Sequence, residues 1–307
     1  MRDASLDLKH LQSFIRIVEF GSLTRAAATL DVSQSLLSRQ VRQLETELGT
    51  HLLERNGRGV VATEAGRELV EHGRGILRQV EVARLQLGQA RGVQAGKLAI
   101  GVPPSVGSLL TVELVMRFRE RYPAAQISVV EALSASLLEW LQLGRLDCAL
   151  LYNPAVNANM RFRHVHSEEL YLIGSTRDGR ALPDTVPLGT LGQYPLIIPS
   201  PLHSVRQLIE ADAARYGVSL DIRLEIDAVR SLLDLVERGV GYGVLSRNAL
   251  LARRGEHHLR AVPIVMPSIV TRLVVATPTQ RPMSTITERT LVLVDELIAE
   301  GRLDPVE

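Results

Sequence analysis

The sequence predicts an α/β chain in three parts: a small helical head closed by a hairpin, one long helix, and a two-lobed α/β body. Three observations predict it. Residues 8–48 carry helical apolar spacing cut by caps and turns. Residues 64–91 carry an apolar repeat that alternates fours and threes. From residue 97 onward, strand-like and helix-like segments alternate. A length of 307 residues suits about two or three units. Hydrophobic residues make up 46% of the chain and aromatics only 4%, so the cores must be built from Leu, Val, Ile and Ala.

In the head, Leu8, Leu11, Phe14, Ile15 and Val18 recur at helical spacing, and Gly21 stops that helix. Ser22 caps a second, short helix whose inner face is Leu23, Ala26, Ala27 and Leu30. Asp31-Val32-Ser33 is a tight turn. Ser33 caps a third helix with Leu37, Val41, Leu44 and Leu48 inward, and Gly49 ends it. Two helices joined by a three-residue turn form a helix-turn-helix. The outer face of the third helix carries Gln34, Ser35, Ser38, Arg39 and Arg42. Arg can bond guanine bidentately, Gln can bond adenine, and Ser reaches bases or phosphates. The helix start at Ser33 favours a phosphate. Next, HLLERNGRGVVAT reads as a hairpin around Asn56-Gly57, a wing whose Arg55 and Arg58 would touch phosphates. Leu23 and Thr24, which open the second helix, complete the candidate DNA-binding set. The competing reading is a plain helical bundle with polar residues outward.

The long helix opens at Thr63-Glu64. Its seam is Leu69, Gly73, Ile76, Val80, Ala83, Leu87 and Ala90. From Glu64 to Arg91 it would run about 42 Å at ~1.5 Å per residue. Neither flank offers chain to cover the seam, which implies a partner helix from a second copy. An amphipathic helix lying on its own domain is the alternative, and Gly73 and Gly75 weaken a long coil.

The body begins after Gly92–Gly96. Strand Lys97–Val102, helix Leu109–Arg121, strand Gln126–Glu131, helix Leu137–Leu143 and strand Asp147–Tyr152 give a parallel βαβαβ order. The pattern repeats. Strands are expected at Leu170–Gly174, Leu196–Pro199, Ile222–Asp227 and Tyr242–Ser246, and helices at Ser204–Tyr216 and Arg230–Arg238. Strand Ile269–Ala276 would rejoin the first lobe, and Ile286–Ala299 is the last helix. Crossings near Arg163–Ser167 and Val262–Pro267 would leave a cleft. Ligands of such sheets sit beyond strand C-termini. Three loops meet that rule: Pro103–Ser105, Ser200–Ser204 and Asp227–Arg230. Arg206 and Arg230 either neutralise an anion there or are solvated surface arginines.

Several chemistries find little support. The net charge of +1, from 35 Lys and Arg against 34 Asp and Glu, gives no global basicity, so a case for nucleic acid rests on local motifs. No G-x-S-x-G elbow occurs, and adjacent His203-Ser204 is not how a catalytic triad is built. His164-x-His166 and His257-His258 lack further ligands at metal spacing. Gly239-x-Gly241-x-Gly243 follows a helix and enters a strand, the reverse of a dinucleotide fingerprint. No metal, cofactor or catalytic set is expected. The lone Cys148, in an apolar strand, fits a reducing compartment. The N-terminus has no apolar signal core, and prolines break the uncharged stretch 185–205. A soluble cytoplasmic protein with no membrane partner is therefore expected.

The blocks SLTRAAATL, VSQSLLSRQVRQLE, LGTHLLER and TEAG, at fixed spacing without gaps, resemble the DNA-binding domain of LysR-type transcription regulators. The family's usual Pro two residues after the capping serine is replaced by Ser35, and its frequent Phe by Leu23 and Leu53. The body resembles the family's effector domain, itself similar to periplasmic solute-binding proteins. The match there runs through MRFRERYPAAQISVVEALSASLLEWLQLGRLDCALLY, GVGYGVLS and the final helix.

The resemblance implies a winged helix-turn-helix over 6–63, a dimerising linker helix over 64–92 and an effector-binding domain over 93–307. Lobe 1 would be about 96–164 with 268–307, and lobe 2 about 165–267. It implies a homodimer or homotetramer on a two-fold symmetric operator in double-stranded DNA. It also implies a small-molecule effector, often an organic acid in this family. The family's use of a hydroxyl in the first loop and polar residues in the later one marks Ser105, Ser200, His203 and Ser204 as effector-binding. Each is equally placed to be a plain helix cap, and a surface histidine is the competing reading of His203. Two other functions stay open: a solute-binding module or enzyme whose head only dimerises, and a repressor that answers to no ligand.

Overall fold

A computed structural model of the protein describes residues 6–56, 59–88, 96–177, 182–251 and 258–303. The chain divides into two units, Met1–Arg91 with Leu143–Arg145, and Gly92–Gln142 with Leu146–Glu307.

The N-terminal unit follows its caps. Helix α1 spans Leu8–Phe20 and stops at Gly21, which is left-handed at φ 59°. In α2, Leu23–Leu30, the Ser22 hydroxyl accepts from Arg25 N–H, and Asp31 turns the chain at φ 54°. In α3, Gln34–Leu48, the Ser33 hydroxyl accepts from Leu36 N–H at 3.2 Å and Gly49 closes the helix. The hairpin is β1, Leu53–Asn56, paired antiparallel with β2, Gly59–Ala62. Leu11, Phe14, Ile17, Leu37, Leu44 and Leu52 are fully buried at the centre. Leu48, expected inward, is 42% exposed because it sits on the last turn, past the reach of that core.

Helix α4 covers Glu64–Gly88, and the Thr63 hydroxyl accepts from Gly66 N–H at 3.0 Å to start it. The first part of its seam is not free, contrary to the expectation. Gly73 lies against α1 so closely that a Cβ there would fall 2.7 Å from Leu11 Cδ1. Leu69 packs on the same core. The head's own helix covers the seam this far because a glycine lets it approach. Ile76, the next seam residue, is 38% exposed. The side chains of Leu87 and Ala90 lie outside the described residues.

The C-terminal unit consists of two α/β lobes that share one strand. In lobe 1, β3 (Lys97–Val102), β4 (Gln126–Glu131) and β5 (Cys148–Tyr152) are parallel, with α5 (Pro104–Arg121) and α6 (Ser134–Gln142) as crossovers. The long β6, Met160–Ser175, then runs out of the lobe. Lobe 2 adds β7 (Val186–Pro187), a 3-10 turn at Leu188–Gln193, β8 (Leu196–Ile198), α7 (Ser204–Arg215) and β9 (Ile222–Glu225). After these come α8 (Val229–Glu237), β10 (Tyr242–Ser246), α9 (Arg247–Leu251) and β11 (Leu259–Val265). Then β12, Val270–Pro278, returns to lobe 1 and lies between β5 and β6, and α10, Thr285–Ala299, ends the fold. The strand order is β4-β3-β5-β12-β6-β10-β8-β9, with β11 and β7 branching from β6.

The first crossing, expected near Arg163–Ser167, falls a few residues on and is made by one continuous strand: β6 pairs with β12 as far as Glu169 and with β10 from Leu170. The second crossing is the short link between β11 and β12, where Met266 turns at φ 55°. Cys148 is fully buried in β5. Among the described residues, no helix is long and apolar enough to cross a membrane.

Candidate functional site

The head presents one polar face. Thr24, Ser33, Gln34, Ser35, Arg39 and Arg42 are exposed and Ser38 is half-buried. The side chains of Arg39 and Arg42 enter no hydrogen bond or ion pair within the described residues. Their donors are therefore free for a partner. The Thr24 hydroxyl lies 3.4 Å from Gln34 Oε1, and the Ser33 and Ser35 hydroxyls are 3.0 Å apart. Ser35 thus replaces the stiffness of a proline with a local hydrogen bond to the cap. Leu23 is a correction: its side chain is buried in the head core, because position 23 faces the same way as Ala26 and Ala27. Only its backbone N–H, at the free start of α2, can meet DNA. Arg55 lies on β1, its side chain not described, and Arg58 lies outside the described residues.

The C-terminal unit holds a cleft between its lobes. The three loops chosen from sequence meet there: Pro103, Pro104 and Ser105 from lobe 1, with His203, Ser204, Val205, Asp227 and Val229 from lobe 2. Ser200 is not among the lining residues. Its N–H donates to Asp227 Oδ1 at 2.9 Å, so it shapes the rim. That bond first, with the Ser200 side chain adding to it, holds the Asp227 carboxyl below its usual range. His203 caps α7, its Nδ1 accepting from Val205 N–H at 3.2 Å. Burial pushes the His203 imidazole below its usual pKa against the opposing pull of Asp227. A ring without a proton on Nδ1 is the one that can accept, so burial and cap agree.

Sequence reasoning missed the floor. Glu168, on β6, is 4% exposed and lines the cleft with Tyr152 and Thr271. The Tyr152 hydroxyl donates to Glu168 Oε1, and Asn248 Nδ2 donates to Oε2 at 2.7 Å. Burial first, and the Glu168 charge second, push the Tyr152 phenol well above its usual range. The bonds on Glu168 run from β5 of lobe 1, through the crossing strand β6, to α9 of lobe 2.

Arg206 also departs from expectation. It is neither solvated nor free for an anion, being 5% exposed. Its Nε lies 2.7 Å from Glu210 Oε1, and its Nη1 lies 3.4 Å from Glu225 Oε1 and 3.1 Å from the Pro199 carbonyl. It braces the loop before α7. Arg230 is exposed. Among the described residues no group of His, Cys, Asp or Glu is arranged to hold a metal.

A helix-turn-helix head with unspent donors, on a chain whose second unit carries an interlobe cleft, is the build of a ligand-responsive DNA-binding regulator. Comparison with known proteins gives the family. Residues 8–67 match the sequence model for "Bacterial regulatory helix-turn-helix protein, lysR family", and residues 91–299 match that for the "LysR substrate binding domain". The chain belongs to the LysR family of transcription regulators, with a DNA-binding head and an effector-binding domain.

It is 34% identical over 245 residues to the nitrogen assimilation regulatory protein nac of Klebsiella aerogenes, covering 80% of this chain and 79% of that one. It is 31% identical over 280 residues to the nac protein of Escherichia coli K12, covering 91% of each. These relatives are transcription regulators, and the chain is a regulator rather than an enzyme. Its fold is that of CbnR, a LysR family transcriptional regulator (TM-score 0.71, 21% identity, 97% of this chain and 100% of that one). It is also that of a full-length OxyR variant from Pseudomonas aeruginosa (TM-score 0.69, 21% identity, 96% and 95%).

Proposed function

We propose that the chain binds, as a homodimer or homotetramer, to a two-fold symmetric operator, with α3 of each copy in a major groove. Residues 6–63 read DNA, the 64–92 helix pairs two copies, and 93–307 hold the effector. Work on the chromosome implies the cytoplasm. The observation that carries this reading is the face of α3, where Arg39 and Arg42 stand exposed with no bonding partner among the described residues. Gln34 and Ser35 would read base edges, and Ser33, Ser38, Thr24 and the wing arginines would hold phosphates. The exposed Ile76, on the seam of α4, supports a partner helix there.

The effector sits in the interlobe cleft against Ser105, His203 and Ser204, with Ser200 behind them. It acts by binding two lobe or dimer geometries with unequal affinity, which shifts the spacing or bend of the bound DNA.

A nuclease footprint on the DNA upstream of the gene tests the first half. Protection with two-fold symmetry in helical phase is expected. Arg39→Ala with Arg42→Ala should abolish it and leave the fold intact, since both side chains are exposed. Unchanged affinity in the double variant would remove α3 as the reader.

A further inference from the structure

The cleft is charged with one sign. Among the described residues, Glu168 and Asp227 line it, and no lysine or arginine does. The cation nearest in sequence to the α7 loop, Arg206, is committed to Glu210, Glu225 and the Pro199 carbonyl. His203, with its proton held off by burial, brings no positive charge near neutral pH. Glu168 is buried, and both of its donors, Tyr152 and Asn248, are neutral. No Lys, Arg or His among the described residues forms an ion pair with it. A carboxylate accepts about four hydrogen bonds, and two are in place. A charge taken out of water without a counter-charge is costly, and a cation entering the cleft would relieve that cost.

We infer that the cleft takes a small molecule bearing an ammonium group, seated on the Glu168 carboxylate. This rests on the cleft being the effector site. A simple organic acid meets no cation there, so the ammonium group is what distinguishes the ligand. The free space is about 40 Å³, enough for a few water-sized groups, so the head that reaches Glu168 is small. Its position also explains how binding would be felt. The two donors on Glu168 come from β5 of lobe 1 and α9 of lobe 2. An ammonium drawn to the same oxygens lands on the tie between the lobes.

The test uses the full-length protein. Primary amines and amino acids are titrated beside their deaminated carboxylates, such as glycine with acetate and glutamate with glutarate, in thermal-shift and calorimetric runs. At least one ammonium compound should raise the Tm, and its deaminated match should not. Glu168→Gln should weaken that compound at least about tenfold, and Glu168→Asp, which keeps the charge, should weaken it less.

The inference is overturned if no ammonium compound shifts the Tm, if a deaminated match binds as tightly, or if Glu168→Gln binds unchanged. Where Glu168→Gln does not fold, the matched pairs and Glu168→Asp still decide. Ser105→Phe, which fills the lobe 1 wall, separates the two layers. If a deaminated compound binds and Ser105→Phe abolishes it, the cleft stands and the ammonium falls. If binding ignores both substitutions, both fall.

Discussion

Arg206 offers a prediction whose size follows from its surroundings. Consider Arg206→Met, which keeps the length of the stem and removes the guanidinium. The two carboxylates it leaves behind are 44% and 50% exposed, so they rehydrate. Each of those ion pairs is therefore worth only about 0.5 kcal/mol. The Pro199 carbonyl is different. It belongs to a buried residue and accepts from Arg206 at 3.1 Å, and leaving it unpaired costs roughly 1–3 kcal/mol. The expected loss is therefore about 2–4 kcal/mol, with the carbonyl rather than the ion pairs as its largest part. Arg206→Ala also removes the buried stem beyond Cβ, two methylenes at ~0.8 kcal/mol each, and should lose about 1.5 kcal/mol more. Urea unfolding followed by fluorescence reads this cleanly. The chain's one tryptophan, Trp140, lies on α6 of the same C-terminal unit. Arg206→Met within about 0.5 kcal/mol of wild type would refute the role given to the carbonyl, a threshold set by ordinary surface substitutions. Equal losses for Met and Ala would refute the packing of the stem.

Three further outcomes are expected. Ser33→Ala removes the acceptor that meets Leu36 N–H and should cost about 1 kcal/mol of head stability, with weaker DNA binding as the start of α3 frays; an unchanged head melt by far-UV dichroism would count against the cap. Gly66→Ala places a Cβ 2.1 Å from the Leu52 backbone carbonyl, a contact no side chain can yield to, so it should lower head stability despite alanine's better helix propensity; a rise in the head's Tm would contradict the close approach. The depressed folded-state pKa of His203 makes the unfolded chain bind more protons, so stability should fall as pH drops through the ordinary histidine value of 6.5, with the Asp227 contribution following only below 3.8. His203→Asn, which can still cap α7, should flatten the Tm between pH 7 and 5.5, and an unaltered slope would point to another group.

The head was almost wholly legible, and the reason is local. Ser22, Ser33, Gly21 and Gly49 are caps whose chemistry acts within a few residues, and the four helix termini expected of them are present. The parallel half of lobe 1 was legible for a similar reason, since strands such as CALLY are apolar on both faces. The first part of β6 was not. Met160–Ser167 reads MRFRHVHS, and its Arg and His side chains look like loop composition until β12 supplies the pairing partner from more than a hundred residues away.

The cleft divides the same way. The rim loops were found because they follow strands and open helices. Glu168 was not, because an acidic pair in a strand reads as solvent-facing, and only the arrival of Tyr152 and Asn248 from other segments buries it. Arg206 misled for the same reason. Gly73 carried a signal that could have been used: a glycine within an apolar seam marks close approach, and α1 was the helix at hand.

Strand β12 has a consequence for how the protein is made. It lies between β5 and β6, yet it leaves the ribosome after the whole of lobe 2. The head can fold while synthesis continues, since its core needs only the first seventy or so residues. The sheet of lobe 1 cannot close until Val270–Pro278 emerges, and until then β5 and β6 hold an unfilled slot. A transcript cut short before that point would yield a folded DNA-binding head on a sensor with an open sheet edge, prone to pair with whatever strand comes near. Completion of the sensor is thus tied to a segment translated only after the whole of lobe 2.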